Sequence, residues 1–132
     1  MPTEFQKKMF REMEQKAVFR QAQACAFDYA DGVRERDVFP TPEAIADLDR
    51  FVEDLPASTG NAEAIIKQLH QYGSPASVAQ TGGRYFGFVN GNVIPAALAA
   101  RWLADTWDQN PALYVISPIV AKLEQICEQW LT

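Results

Sequence analysis

Apolar residues recur at helical spacing along most of the chain, and the interruptions fall at proline and glycine. Residues 3–31 contain neither of these two residue types, so the pattern predicts one long helix or two abutting helices. Thr41 followed by Pro42 is typical of an N-cap and a first helical residue, and it predicts a short helix that extends to about residue 53. Residues 54–60 are predicted to form a loop.

The middle of the chain is predicted to hold one more helix and then irregular backbone. Ser58, Thr59 or Asn61 is positioned to cap a helix whose apolar face ends at residue 73. Residues 74–83 are small and turn-forming, which indicates a loop. Residues 84–90 are the only aromatic-rich, β-favouring run, and we expect them to be extended without a strand partner.

Two further helices are predicted near the end of the sequence, each opened by a proline. The first covers about residues 95–108, where Arg101 precedes Asp105 by one helical turn. The second covers residues 118–131, and Ser117 in front of it repeats the pairing of a cap with a proline. Because so little of the sequence favours strands, we expect a mainly α fold in which helix packing forms most of the core.

Composition indicates a folded chain and argues against several classes of partner. The 132 residues, 14.8 kDa, fit one domain or a piece of a larger one. Folded, such a chain exposes roughly 7,000 Å², which predicts a substantial core. The net charge of -5 opposes binding to nucleic acid. The sequence has no long apolar run and no basic stretch ahead of an apolar one at its start, so a membrane span and secretion are both disfavoured.

Few residues have the types and spacing that catalysis or metal binding requires. His70 is the single histidine and is interpreted as a surface or edge residue of a helix rather than a catalytic base. Cys25 and Cys127 are far apart with no histidine to join them, so we assign no metal. Their apolar helical contexts predict buried, reduced thiols and a cytoplasmic location. Asp105 and Asp108 are interpreted as a solvated helix face.

The aromatic residues leave an alternative open at one segment. Three tryptophans lie in predicted helices, two of them four residues after a leucine, which favours core packing over a ligand cage. They are Trp102, Trp107 and Trp130. Within residues 86–95, Gly87 and Gly91 bracket Phe88, and two asparagines lie close by, just ahead of a helix. Such a segment either lines a pocket or simply turns into the helix.

Four blocks of sequence follow one another in the second half of the chain. They are Arg84-Tyr85-Phe86-Gly87-Phe88-Val89-Asn90-Gly91; Pro95-Ala96-Ala97-Leu98-Ala99-Ala100-Arg101-Trp102-Leu103-Ala104; Trp107-Asp108-Gln109-Asn110; and Ser117-Pro118 with Leu123-Glu124 and Trp130-Leu131. Together they resemble the amino-terminal part of the pyridoxal-phosphate-dependent decarboxylases of the aromatic amino acid and glutamate decarboxylase group. The resemblance is dense over residues 84–131 and looser before them. Many members have His-Pro where this chain has Gly82-Gly83, so no histidine role carries over there.

The resemblance implies the amino-terminal helices of a fold type I enzyme, with one short extended segment and with the large α/β domain absent. On this interpretation residues 1–132 form a single segment. It comprises a helical arm (1–31), two short helices (42–73), and a pocket-wall segment with two helices (84–132). The family works as a homodimer on an amino-acid substrate, and its amino-terminal helices wrap onto the partner subunit.

The family's cofactor chemistry needs groups that the resemblance places after residue 132. These are the lysine that forms the Schiff base with pyridoxal phosphate, an acid at the pyridine nitrogen and a phosphate cradle. None of the lysines here follows a histidine as the family's Schiff-base lysine does; they are Lys7, Lys8, Lys16, Lys67 and Lys122. We therefore expect this chain alone to bind no pyridoxal phosphate and to be catalytically silent.

Accessory positions are all that the resemblance carries over. Phe88 is implied to contact a substrate side chain, and Asn90 to hydrogen-bond the substrate carboxylate. Gln109, Asn110 and Leu113 belong to a loop implied to reach across the dimer toward the neighbouring pocket. The expected function is the amino-terminal part of an amino-acid decarboxylase. The alternative is a self-contained helical dimerisation or protein-interaction module, built on the apolar stripes of the first and last helices.

Overall fold

Helices account for 59% of the computed structural model, which describes residues 1–90 and 92–132. They are α1 (Glu4–Gln15), α2 (Ala17–Gly32), α3 (Pro42–Ala46), α4 (Ala62–Gln68), α5 (Pro95–Trp107) and α6 (Pro118–Leu131). A 3₁₀ turn at Asp47–Phe51 continues α3, and a π turn at Leu69–Gly73 continues α4. No strand occurs among the described residues, so the mainly α class is confirmed. None of the helices described has the length and apolar character that crossing a bilayer requires.

The chain divides into two compact units, Met1–Asn92 and Val93–Thr132. In the first unit α2 packs against α4, and the 3₁₀ turn packs against the π turn. Arg50 of the 3₁₀ turn lies over the ring of Tyr72 in the π turn, with its guanidinium carbon 4.8 Å from the ring centroid. A hydrogen bond to Asp47, together with the nearby Tyr72, raises the pKa of Arg50. The Arg50 guanidinium therefore stays charged at every working pH.

The first predicted helical stretch is two abutting helices rather than one. Lys16 separates them in the left-handed conformation, with a φ of 56°, and its amide still donates to the carbonyl of Glu12. Thr3 begins α1 with a capping box that it shares with Gln6. The ammonium of Lys8 donates to the carbonyl of Gly60, which ties α1 to the loop ahead of α4.

All three predicted cap positions are confirmed, and two of them carry a side-chain cap. The Thr41 hydroxyl accepts from the amide of Ala44 at 3.2 Å, and the Asn61 side chain accepts from the amide of Ala64 at 2.8 Å. Ser117 stands at the N-cap of α6 but makes no capping hydrogen bond with its side chain. Its hydroxyl donates instead to the side-chain oxygen of Gln109 at 2.9 Å, and the residue is buried.

The predicted core is largely missing from the described residues. Their only buried apolar side chains are those of Val33 and Ala79. The loop that precedes residue 84 is anchored by a hydrogen bond in which the amide of Ala79 donates to the carbonyl of Val38 at 2.9 Å. Gly82 lies so close to the Val33 carbonyl that a Cβ would come within 2.8 Å of the oxygen. Gly83 has a φ of +80°, so turn chemistry explains the glycine pair.

The tryptophans and cysteines are more exposed than the sequence predicts. Trp102, Trp107 and Trp130 expose 39%, 54% and 79% of their surface, so their interpretation as core residues is wrong within the described units. Cys127 is exposed and Cys25 is half-buried, and both thiols are free. A unit of two helices, α5 and α6, has no third surface to cover its apolar stripes, which explains the exposure.

Candidate functional site

Residues 87–90 belong to the segment that the sequence resemblance implies to be a substrate-pocket wall. In the structure they form a turn. Phe88 and Val89 both adopt the left-handed conformation, with φ of 52° and 58°, and the amide of Asn90 donates to the carbonyl of Gly87 at 3.2 Å. Left-handed backbone is unfavourable for a branched side chain such as valine. The expectation of an extended segment is therefore wrong for this part of residues 84–90. Gly91, the second glycine of the motif, lies outside the described residues.

The turn presents its apolar side chains to solvent. Phe88 is 92% exposed, and its neighbours Phe86 and Val89 are nearly fully exposed as well. The side chain of Asn90 donates a long hydrogen bond of 3.4 Å to Gln80. Neither Phe88 nor Asn90 lines the larger cleft of the first unit described below. The turn is thus an exposed apolar surface.

The loop that contains Gln109, Asn110 and Leu113 lies in the second unit and is closed by its own hydrogen bonds. Gln109 donates to the carbonyl of Trp107 at 2.9 Å and accepts from Ser117. The side chain of Asn110 accepts from the amide of Ala112 at 3.0 Å. The carbonyl of Leu113 accepts from the amide of Ser117 at 3.1 Å, while the Leu113 side chain is exposed. A preformed loop of this kind offers an apolar tip on a fixed backbone.

The described residues do not fit pyridoxal phosphate. Lys7 is paired with Glu4 at 2.6 Å, and Lys8 is bonded to Gly60. No lysine lines either of the two clefts found in the first unit. A Schiff-base lysine must meet its cofactor inside a pocket, so the lysines described are not placed for that chemistry. Nor do three or more metal-ligating side chains come together within the described part of the chain.

A cleft that sequence reasoning missed lies between the end of α2 and the π turn. Its volume is about 360 Å³. On one wall, Nε2 of His70 lies 3.1 Å from a carboxylate oxygen of Asp28. His70 is thus half-buried and paired with an acid on another helix. The sequence predicted a surface or edge residue and did not predict this partner.

The opposite wall of this cleft is organised around Arg36. One guanidinium nitrogen donates to the hydroxyl of Ser74 at 3.2 Å, and another donates to the Ser74 carbonyl at 2.7 Å. The guanidinium carbon lies 4.8 Å from the ring centroid of Tyr29. Ser77 also donates to the Ser74 carbonyl, at 2.7 Å. These contacts hold a half-buried guanidinium in a single orientation at the edge of the cleft.

The signal for this cleft was present in the sequence but weak. Asp28, Gly32 and Arg36 recur at four-residue spacing; Asp28 and Gly32 share one face at the end of α2, and Arg36 follows in the turn beyond it. Their partners lie 42 positions away for His70 and 38 for Ser74, too distant for local patterns to connect them. The site is therefore interpreted from its geometry and from the sequence resemblance.

Comparisons with known proteins name no family for the chain. No protein-family model matches it, and comparisons with curated proteins and with solved structures also found no match.

Proposed function

We propose that this chain is the amino-terminal part of a fold type I, pyridoxal-phosphate-dependent amino-acid decarboxylase. The observation that carries the proposal is the exposure of its helical apolar stripes. Amphipathic helices in a self-sufficient domain turn such stripes inward. Here the stripes of α1, α5 and α6 remain open, as expected for a segment that a larger catalytic domain covers. The order and spacing of the four sequence blocks support the same conclusion.

The arm formed by α1 suits a role at the subunit interface of a homodimer. Phe5, Met9 and Met13 follow one another at four-residue spacing, and each exposes about half of its surface: 54%, 47% and 57%. A helical stripe of this kind is a docking face for another apolar surface. The partner subunit supplies that surface in the proposed enzyme.

The turn at residues 87–90 suits a pocket wall. Two consecutive left-handed residues cost free energy, and strained backbone of this kind is concentrated at ligand sites. The turn leaves the aromatic side chain of Phe88 exposed, and Asn90 follows it two residues later. An aromatic ring and an amide can together hold an amino acid by its side chain and its carboxylate.

The parent enzyme removes the α-carboxylate of an amino acid, with pyridoxal phosphate as the group that accepts electrons from the breaking bond. The residues described here do not fit that cofactor, so we assign them no step in the reaction. Their proposed part is to shape the substrate pocket and to hold two subunits together. We place the enzyme in the cytoplasm, where free thiols such as Cys25 and Cys127 stay reduced.

A second candidate is a self-contained helical dimerisation or interaction module. It is favoured by the side-chain caps in the first unit, where helices α1, α3 and α4 each begin with one. The same exposed stripes would then bind a second copy or another helical protein. The two candidates differ in whether a catalytic domain belongs to the same polypeptide.

Borohydride reduction tests the catalytic silence of the chain alone. The purified chain is mixed with pyridoxal phosphate and a panel of amino acids, reduced, digested and examined by mass spectrometry. We expect no stoichiometric label on any single lysine and no amine product, since no lysine lines a cleft. A specific label accompanied by amine formation would contradict the proposal.

The identity of the parent enzyme is tested in the gene. We expect the codons after Thr132, in one of the reading frames, to encode a Thr-Ser-Gly-Gly block and a later His-Lys pair.

A polypeptide that joins this chain to that downstream sequence allows a kinetic test. In it, Phe88→Ala should lower kcat/KM for the preferred amino acid about tenfold, because it removes an aromatic contact with the substrate. Phe86→Ala is the matched control, since Phe86 is equally exposed and is assigned no contact. Absence of the downstream blocks, or equal effects of the two variants, would favour the interaction module.

A further inference from the structure

Within residues 1–90 and 92–132, Arg36 is a half-buried cation without a carboxylate partner. Its bonds go to the neutral Ser74 hydroxyl and carbonyl, and its flat face lies against Tyr29. Among the residues described, no acidic side chain lies within ion-pair distance of it, whereas Arg50 and Arg101 each have such a partner. A guanidinium has five N–H donors, so three remain after the two bonds to Ser74. The charge and the remaining donors of Arg36 are available at the cleft.

The guanidinium is also preorganised. Two bonds to one residue and a stacked ring fix its plane before any ligand arrives, which reduces the entropy that binding loses. A fixed guanidinium fork matches the paired oxygens of a carboxylate or a phosphate. The hydroxyl of Ser74, which accepts from Arg36, still has its own proton to donate.

The other wall carries the carboxylate of Asp28. Nε2 of His70 lies 3.1 Å from one of its oxygens, so that oxygen is engaged in a hydrogen bond with the imidazole. Arg36 is the cation of the cleft lining, and the charge of Asp28 opposes an incoming anion, so removing that charge should strengthen binding.

Gly32 keeps the space in front of Arg36 open. It lines the cleft, and a Cβ built on it would meet no atom within 4 Å. At about 360 Å³ the cleft has the size of a small-molecule site. A methyl group therefore has room at position 32, and a longer side chain there should compete with a ligand for the cleft.

We infer that the cleft between α2 and the π turn binds a small oxyanion, a carboxylate or a phosphate group, through Arg36 and Ser74. This site lies within the first unit and does not depend on the proposed decarboxylase function. All of its polar contacts, including the one from the Arg84 guanidinium to the Arg36 carbonyl, come from residues of the same unit.

The test is a nuclear magnetic resonance titration of the whole chain, in reducing buffer at constant ionic strength. Inorganic phosphate and succinate are the two probes, and chloride is the control anion. We expect saturable shifts of the backbone amides of Gly32, Arg36 and Ser74, with a Kd on the order of 1 mM, as suits an anion of few atoms. Response to phosphate alone indicates a phosphate ligand, response to succinate alone a carboxylate ligand, and either response supports the site.

Three pairs of variants locate the binding. Arg36→Gln should weaken it at least tenfold, and the neighbouring exposed Arg34→Gln should leave it unchanged. Gly32→Leu should abolish it by filling the cleft while every contact of Arg36 is kept, and Gly32→Ala is its milder control. Asp28→Asn should strengthen it a few-fold, unlike Asp31→Asn. The inference is overturned if neither probe saturates any of the three amides at about 50 mM, or if binding persists in both Arg36→Gln and Gly32→Leu.

Discussion

Two glycines of the first unit differ in what surrounds them. A Cβ at Gly82 would lie 2.8 Å from the carbonyl oxygen of Val33 and 3.3 Å from that of Ala79, and both are backbone atoms that have little room to move. A Cβ at Gly32 would meet nothing within 4 Å. Gly82 therefore permits a close approach of two backbone segments, whereas Gly32 lines the cleft and lowers the helix propensity at the end of α2.

Alanine at these two positions should change stability in opposite directions. Gly82→Ala should lower the free energy of unfolding by about 1–3 kcal/mol, because the backbone must shift to accept the methyl group. Gly32→Ala should raise it by up to about 1 kcal/mol. Thermal melts followed by circular dichroism at 222 nm measure both, at roughly 4–8 °C per kcal/mol for a unit of this size. Shifts of the same sign would contradict this account of the loop.

At the scale of the helices, local signals were predictable and distant ones were not. Thr41 and Asn61 cap their helices because a cap acts within three residues, so sequence alone identifies it. Ser117 has the same local signal, but Gln109 competes for its hydroxyl. A partner in a loop outside the helix decides that outcome, and a local pattern does not contain it.

The candidate site was predictable only in part for the same reason. The resemblance pointed to Phe88 and Asn90 by residue type, yet aromatic and branched residues predict extended backbone there. The left-handed conformations of Phe88 and Val89 oppose that preference, so a propensity argument does not reach them. The pairing of Asp28 with His70 depends on how α2 packs against α4, which is a property of the tertiary structure.

The apolar stripe of α1 leads to a prediction about association. If this helix docks on a second copy, replacing Met9 and Met13 together by glutamine should raise the dissociation constant at least tenfold, since two half-exposed apolar side chains are then lost from the interface. Sedimentation velocity in a reducing buffer measures the change. Arg11→Gln on the same helix is the control and should leave association unaltered. Unchanged association of the double variant would exclude α1 as the docking face.

Each of the two units leaves large apolar side chains exposed. They lie on every long helix, from Phe10 in α1 to Leu131 in α6. Surface of this kind is stabilised when something else covers it.

Unfolding measurements should register this exposed surface. At the lowest protein concentrations, unfolding exposes less new apolar surface than in a domain with a filled core, so the denaturant m-value should be lower than for an ordinary domain of this length. The melting temperature should then rise with protein concentration, because association stabilises the folded chain. Urea titrations and melts over a hundredfold dilution series test both. An ordinary m-value with a concentration-independent melt would mean that the apolar stripes are covered within one chain.

The distribution of cysteines gives a practical route to the geometry of the two units in solution. Cys25 belongs to Met1–Asn92 and is half-buried, while Cys127 belongs to Val93–Thr132 and is exposed. A maleimide dye should therefore attach to Cys127 first, and a second colour can be added to Cys25 afterwards. Energy transfer between the two dyes then reports the separation of the units in the native sequence, and its change on adding a binding partner shows whether either unit has moved.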